Sequence, residues 1–235
     1  MTATQTEISR GEIQTIVAAR LLADATSCFI GVGRPSTAAI LAREIVNPDL
    51  VLVYESGTIG AKPHRIPLSI GDGELAATAD VVVPVVEMFN YWIQPGRIDV
   101  AFLGAAQVDR RGNLNSTVIG DYDAPKTRLP GAGGAPEIAT GCDRVMVVAP
   151  HSPRTFVERL DFLTTRTAPE AVITDLGVLE PDAAGELTLT QVHPGVTVDA
   201  VREATGWELQ VADALRTTEP PTEAELTALR ELVAR

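Results

Sequence analysis

A glutamate that follows a buried apolar run and precedes a glycine turn is placed to act as a nucleophile or as a proton-transfer group. Glu55 has that setting. It stands directly after Leu50-Val51-Leu52-Val53-Tyr54 and directly before Ser56-Gly57. The apolar run, rich in β-branched and aromatic types, predicts a strand covered on both faces in a parallel sheet. Ligands of open α/β sheets bind beyond the carboxyl ends of the strands, so Glu55 is the candidate reacting group and Ser56 a candidate contact. Gly57 and Gly60 would let the backbone come close to a ligand. A strand-end carboxylate also serves simply to cap a helix or pair with an arginine, and position alone does not choose.

Two glycine-bearing stretches are candidates to face Glu55. The turn Gly31-Val32-Gly33-Arg34-Pro35-Ser36 lacks the third glycine of GxGxxG and the lysine of a phosphate-binding loop. Backbone N–H groups of Gly31 and Gly33, aimed at an anion or oxyanion from a helix start, suit it better. Residues 112–135 form a long polar segment with Asn113, Asn115, Asp121, Lys126, Arg128, Gly131, Gly133 and Gly134. A loop of that length inside a compact domain is functional or disordered, and strands on both sides favour an ordered, site-forming loop. Gly131 to Gly134 then either present N–H donors or make a tight turn. Lys126 and Arg128 are either anion contacts or solvated charges. His64, His151 and His193 have no metal or triad spacing and read as structural. Cys28 and Cys142, with no CxxC, read as buried free thiols of a cytosolic protein.

The elements that must position these residues follow from pattern. Ser9 and Glu12 are spaced as a capping box and open a helix over 10–23. Residues 28–32 read as a first strand, and Ser36 as the cap of a second helix reaching about Val46. Strand, glycine turn, helix and the strand at 50–54 make a βαβ unit and a parallel sheet. Residues 62–80 read as loop. Pro84 demotes 81–86 as a central strand, and 86–94 reads as a helix packed on the core. Further strands are expected at 99–105, 144–150, 171–179 and 186–192. A second capping box, Thr222 and Glu225, opens a terminal helix with Leu226, Leu229 and Val233 inward. The expected class is α/β, a mostly parallel sheet flanked by helices in α/β/α layers. The chain reads as one domain over 1–235, with a helical C-terminal segment about 199–235.

Composition narrows the partners. The 235 residues include 19 Lys+Arg and 31 Asp+Glu, a net charge of −12. That balance argues against nucleic acid and anionic membranes. No apolar run reaches the ~18 residues of a membrane span, and the polar start MTATQTEISRGE carries no signal core, so a cytoplasmic location is expected.

The stretch Val53-Tyr54-Glu55-Ser56-Gly57 and the block from Ala106 to Thr140 resemble the β subunit of class I coenzyme A transferases of the glutaconate type. The turn at 31–35 resembles the family's first loop. One departure is a shorter stretch between Asp161 and Ala171, where the family has a longer glycine-containing loop. The resemblance implies that Glu55 is the nucleophile, that an acyl-CoA is the substrate with no permanently bound cofactor and no metal, and that an α subunit completes an α2β2 enzyme. It places Gly31, Gly33, Gly131, Gly133 and Gly134 in oxyanion or CoA-binding loops. Ser56, Gln107, Asn115, Lys126 and Arg128 are possible contacts to substrate or CoA. The implied acid is a dicarboxylate or a short enoyl acid. A carboxylate is already ionised at neutral pH, so it needs no activating histidine, unlike serine or cysteine. A CoA-ester hydrolase or decarboxylase on the same fold, and a non-catalytic scaffold subunit, are the rival readings.

Overall fold

A computed structural model describes residues 7–235 of the chain. Helix α1 (Arg10–Arg20) starts at the expected capping box: the Ser9 hydroxyl accepts the Glu12 N–H at 3.2 Å, and the Glu12 carboxylate accepts the Ser9 N–H at 2.7 Å. Strand β1 (Ser27–Ile30) leads through Gly33 into α2 (Arg34–Ile45). Gly33, at φ +84°, is the cap, and Ser36 lies one turn inside, its hydroxyl 3.2 Å from that of Tyr54. Proline suits a first helical turn, where its missing N–H has no partner to lose, so Pro35 draws the helix start ahead of Ser36. Strand β2 (Val51–Tyr54) turns back into β3 (Thr58–Ile59). The expected loop at 62–80 includes a short helix, α3 (Gly73–Thr78), whose Glu74 N–H is capped by Asp72 at 3.2 Å. Strand β4 (Val81–Val82) ends at Pro84 on the sheet edge, where a missing donor costs least. Helix α4 (Val85–Glu87) passes into a π-helical turn over Met88–Ile93.

Strand β5 (Ile98–Leu103) is followed by two small hairpins, β6 (Gln107–Val108) with β7 (Leu114–Asn115), and β8 (Val118–Gly120) with β9 (Pro125–Arg128). The long polar segment is therefore ordered by local pairing. Helix α5 (Ala135–Gly141) feeds β10 (Cys142–Val148). Residues 171–179, expected as one strand, are two antiparallel strands, β11 (Ala171–Ile173) and β12 (Gly177–Pro181). Thr174 makes the reversal: its hydroxyl accepts the N–H groups of Leu176 and Gly177 at 3.1 and 3.0 Å, a side-chain turn. Strand β13 (Leu187–Val192) and helix α6 (Val198–Glu203) come next.

The C-terminal segment is not all helical. Strand β14 (Gln210–Thr217) lies between α6 and α7 (Glu223–Ala234) and pairs in parallel with β13. The open edge of β13 supplies the hydrogen-bonding partners, and such tertiary pairing overrides local preference. On α7 the buried positions are Leu229 and Leu232; Val233, expected inward, is 61% exposed.

The ten-stranded sheet has the order β14-β13-β12-β11-β10-β5-β1-β2-β3-β4, and β11, β10, β5, β1 and β2 are mutually parallel. Side chains alternate between two cores. Cys28, Ile30, Leu52, Tyr54, Val100, Phe102, Met146 and Val148 join α1, α2 and α7 on one face. Phe29, Val53, Ala101, Leu103, Val145 and Val147 meet the π-helical turn, α5 and α6 on the other. Burial on both faces explains the unbroken apolar runs and confirms the α/β/α layering. Among the described residues no helix is long and apolar enough to cross a membrane.

Candidate active site

The five parallel strands share one direction, so the residues after Ile30, Tyr54, Leu103 and Val148 gather on one edge. Register pairs Ile30 with Tyr54, which sets Gly31 beside Glu55. The turn after β2 is tight: the Gly57 N–H donates to the Tyr54 carbonyl at 2.9 Å, and the Gly57 carbonyl accepts the Val83 N–H at 2.9 Å. Gly57 has φ +102°, and a Cβ there would strike the Val83 carbonyl oxygen. Glu55 is thus held half-buried on a turn that only glycine can close. Behind it, burial pushes the Tyr54 phenol up to about 12, so it stays a neutral partner of Ser36.

Across from Glu55 stands the start of α5. The Gly134 N–H donates to Glu55 Oε1 at 3.0 Å. It is the one hydrogen bond of the Glu55 side chain among the described residues, and it leaves Oε2 unbonded. A Cβ at Gly134 would come within 2.7 Å of Phe89 Cε1 and 2.9 Å of Glu55 Oε1, and one at Gly133 would sit 3.9 Å from Oε1. The loop is anchored from behind: Ser116 accepts the Gly131 N–H at 2.8 Å through its carbonyl and donates its hydroxyl to the Gly131 carbonyl at 2.8 Å. Phe89 belongs to the π-helical turn, a geometry frequent at functional sites. Sequence pattern assigns Phe89 to core packing; its contact with position 134 joins segments 45 residues apart and leaves no local signal.

The structure places the remaining candidates in three different situations. Ser56 Oγ and Thr58 Oγ1 are buried and have no hydrogen-bond partner among the described residues. Buried hydroxyls are nearly always paired, so these two, one and three residues from Glu55, stand out. Gln107 and Asn115, expected as possible contacts, are buried braces. Asn115 Nδ2 donates to Gln107 Oε1 and to the Val118 carbonyl, both at 2.7 Å. Gln107 in turn exchanges hydrogen bonds with Asp161 at 3.0 Å. Their polar atoms are committed inside the chain, so they hold the hairpins rather than face a ligand. The short stretch after Asp161 does the same: Thr164 Oγ1 accepts the Ser116 N–H at 3.0 Å and contacts the Thr117 hydroxyl at 2.7 Å. Lys126 and Arg128 are exposed on β9. Arg128 bonds the Tyr122 carbonyl at 2.9 Å and lies over its ring, 4.9 Å from the centroid; Lys126 has no partner among the described residues. Neither contacts Glu55. Gly31, Gly33 and Gly131 border open space, with nothing within 4 Å of an added Cβ.

The cysteines and two histidines stay out of the site. Cys28 and Cys142 are buried and free, and burial raises both thiols, Cys142 to about 12. His151 lies between the hydroxyls of Thr174 and Thr205 at 3.1 and 2.9 Å, and His193 bonds the Thr218 hydroxyl and the Thr174 carbonyl.

A family model described as coenzyme A transferase matches residues 12–204. The β subunit of a 3-oxoadipate CoA-transferase from Pseudomonas knackmussii is 54% identical, with 97% of this chain and 94% of that protein covered. The crystal structure of glutaconate coenzyme A-transferase from Acidaminococcus fermentans superposes with a TM-score of 0.91 at 29% identity, covering 97% and 95% of the two chains. The decarboxylase AibA/AibB superposes at 0.86 and 29% identity, covering 95% and 94%.

Proposed function

Since the chain belongs to the coenzyme A transferase family and is a β-type subunit of such an enzyme, we propose that Glu55 carries the coenzyme A between two acids as a glutamyl thioester. Glu55 Oε2 attacks the thioester carbonyl of an acyl-CoA, giving an acyl-glutamyl anhydride and CoA thiolate. The thiolate attacks the Glu55 carbonyl carbon, the first acid leaves, and a glutamyl-CoA thioester remains. An incoming carboxylate reverses these steps. The observation that carries this reading is the Gly134 N–H at 3.0 Å from Glu55 Oε1. Each attack on the Glu55 carbonyl puts negative charge on that oxygen, and a backbone donor already in place stabilises it without reorganising. The unpaired Ser56 hydroxyl is a second donor within the same turn.

The named relatives support a class of acid. One at 54% identity is named for 3-oxoadipate and another for glutaconate, so a dicarboxylic acid, of the 3-oxo type first, is the proposed acceptor or donor. The enzyme works with an α subunit, in an α2β2 assembly that light scattering on the co-expressed pair checks. The test of the chemistry is mass spectrometry of the assembled enzyme after acyl-CoA. A CoA-sized adduct on the peptide bearing Glu55 supports it; unmodified peptide during turnover refutes it.

A second reading is decarboxylation, which the AibA/AibB superposition favours, or hydrolysis, named for a 28% identical ring-cleaving hydrolase subunit from Rhodococcus jostii. Steady-state kinetics separates the two. Transfer gives parallel double-reciprocal lines and slow CoA release until an acid is added. CoA release equally fast without acceptor indicates a hydrolase, and carbon dioxide release a decarboxylase.

A further inference from the structure

We infer that Arg34 is an oxyanion-binding residue on the same edge as Glu55, held in place by a buried amide. Arg34 is the first residue of α2, directly after the open turn Gly31–Gly33. Gly31 adjoins Glu55 across neighbouring strands about 4.8 Å apart, and three residues span at most about 11 Å. The Cα atoms of Arg34 and Glu55 are therefore within about 16 Å, and Gln14 draws the Arg34 guanidinium along that edge towards the ends of β10 and β11, three to four strands from β2.

What sets Arg34 apart is its support. Arg34 Nη1 donates to Gln14 Oε1. Gln14 is fully buried, and its Nε2 donates to the carbonyls of Ala149 and Ile173, both at 2.9 Å. Those carbonyls lie beyond β10 and at the end of β11. They fix which way the amide points, because a flipped amide would face two carbonyls with an oxygen. Among the described residues, the one donor to Gln14 Oε1 is Arg34. A buried side chain is thus committed to aiming an exposed guanidinium, which would otherwise keep its rotamer freedom in water. Gly11 adds to the cradle: a Cβ there would come 3.2 Å from Arg34 Nη2.

The charge is also left unspent. Among the described residues no carboxylate lies within the ion-pair distance of Arg34, and residues 1–6 contain no acid. The nearby Glu12 is already engaged: it pairs with Arg230 Nε at 2.7 Å and accepts from Ser9, contacts that lower its pKa. Arg34, Thr37, Thr15, Arg230 and the Arg230-paired Glu12 line an open cavity of about 380 Å³ against Leu229 and Val233 of α7. An aimed fork of N–H donors beside open space suits a planar or tetrahedral oxyanion. In this enzyme that is either the distal carboxylate of a dicarboxylic acid or a phosphate of coenzyme A. The identity of the ligand rests on the transferase reading; the aimed, uncompensated arginine does not.

The experiment is calorimetric binding to the co-expressed two-subunit enzyme with four probes: adipate, hexanoate, coenzyme A and pantetheine. Arg34→Ala is expected to weaken one anion by about 10- to 100-fold. Loss for adipate with hexanoate unchanged identifies a carboxylate site. Loss for coenzyme A with pantetheine unchanged identifies a phosphate site. Arg34→Lys keeps the charge without the fork and is expected to lose about 3- to 10-fold for the same probe; it carries the comparison if Arg34→Ala does not assemble. Unchanged affinity for all four probes, or equal loss for all four, overturns the assignment. A wild-type enzyme that binds none of them overturns the transferase reading as well.

Discussion

Two glycine loops reach the edge where Glu55 stands, and they are built in opposite ways. At Gly134 the backbone is pressed against Glu55 and Phe89, and there is no room for a Cβ. At Gly31 and Gly33 nothing lies within 4 Å of where a Cβ would be. The first loop needs glycine because other atoms are already there. The second has room for a side chain, and at Gly33 the need is conformational, since φ is +84°. Glycine therefore marks a filled contact on one side of the carboxylate and an accessible one on the other.

That contrast can be broken by substitution. Glu55→Gln, which keeps the shape and the Gly134 contact but removes the nucleophile, should reduce transfer at least ~10⁴-fold in the assembled enzyme and abolish the CoA adduct. A milder loss would mean the closed loop serves something other than covalent transfer. Gly134→Ala comes next. Displacing a fixed oxyanion donor costs about 10²- to 10³-fold in kcat, and the clash with Phe89 should appear as a lower melting temperature. Activity near wild type would show that the filled side is packing alone. On the open side, Gly31→Ala should leave the melting temperature unchanged while lowering kcat/KM by about 10-fold, the scale of one misplaced methyl in a ligand pocket. Gly33→Ala should do the reverse, costing roughly 1 kcal/mol of stability through its positive φ.

A separate effect belongs to a control from the same edge, where a strand end carries a structural residue. Burial pulls His151 down to about 4 from its usual 6.5, against the opposing charge of Asp175, and His193 shifts the same way. Between those values the unfolded chain binds a proton that the folded chain refuses. Stability is therefore complete above pH 6.5 and declines as pH falls towards 4. Melting temperatures of wild type and His151→Asn across pH 7 to 5 check this: the variant should start lower and slope less.

The parallel strands were legible because burial on both faces writes continuous apolar runs, and the strand-end position of Glu55 was legible because such a run ends at a carboxylate. The capping boxes at Ser9 and Thr222 were legible for a similar reason, since both partners lie within one turn. The reversal at Thr174 was missed because a hydroxyl closes its turn and the one glycine there, Gly177, already begins the returning strand. Strand β14 was missed because its partner, the edge of β13, lies about twenty residues away. Gln107 and Asn115 look like polar site residues in sequence; only their mutual bond and the one to Asp161 reveal them as braces. Arg34 drew no attention for the complementary reason, that the residue aiming it, Gln14, lies on another helix.

The closed turn at Gly57 and the close approach at Gly134 also bear on how such a site can diverge. Every amino acid one nucleotide away from a glycine codon carries a Cβ, and at these two positions a Cβ meets backbone, ring or carboxylate atoms. Drift is barred there, while Gly31 and the exposed face of β9 have room for other side chains. Descendants of such a chain can acquire a new substrate through the open loop in small steps. Under the proposed glutamyl-thioester chemistry, a new reaction comes from replacing residue 55 itself, in a single exchange, with its surroundings kept.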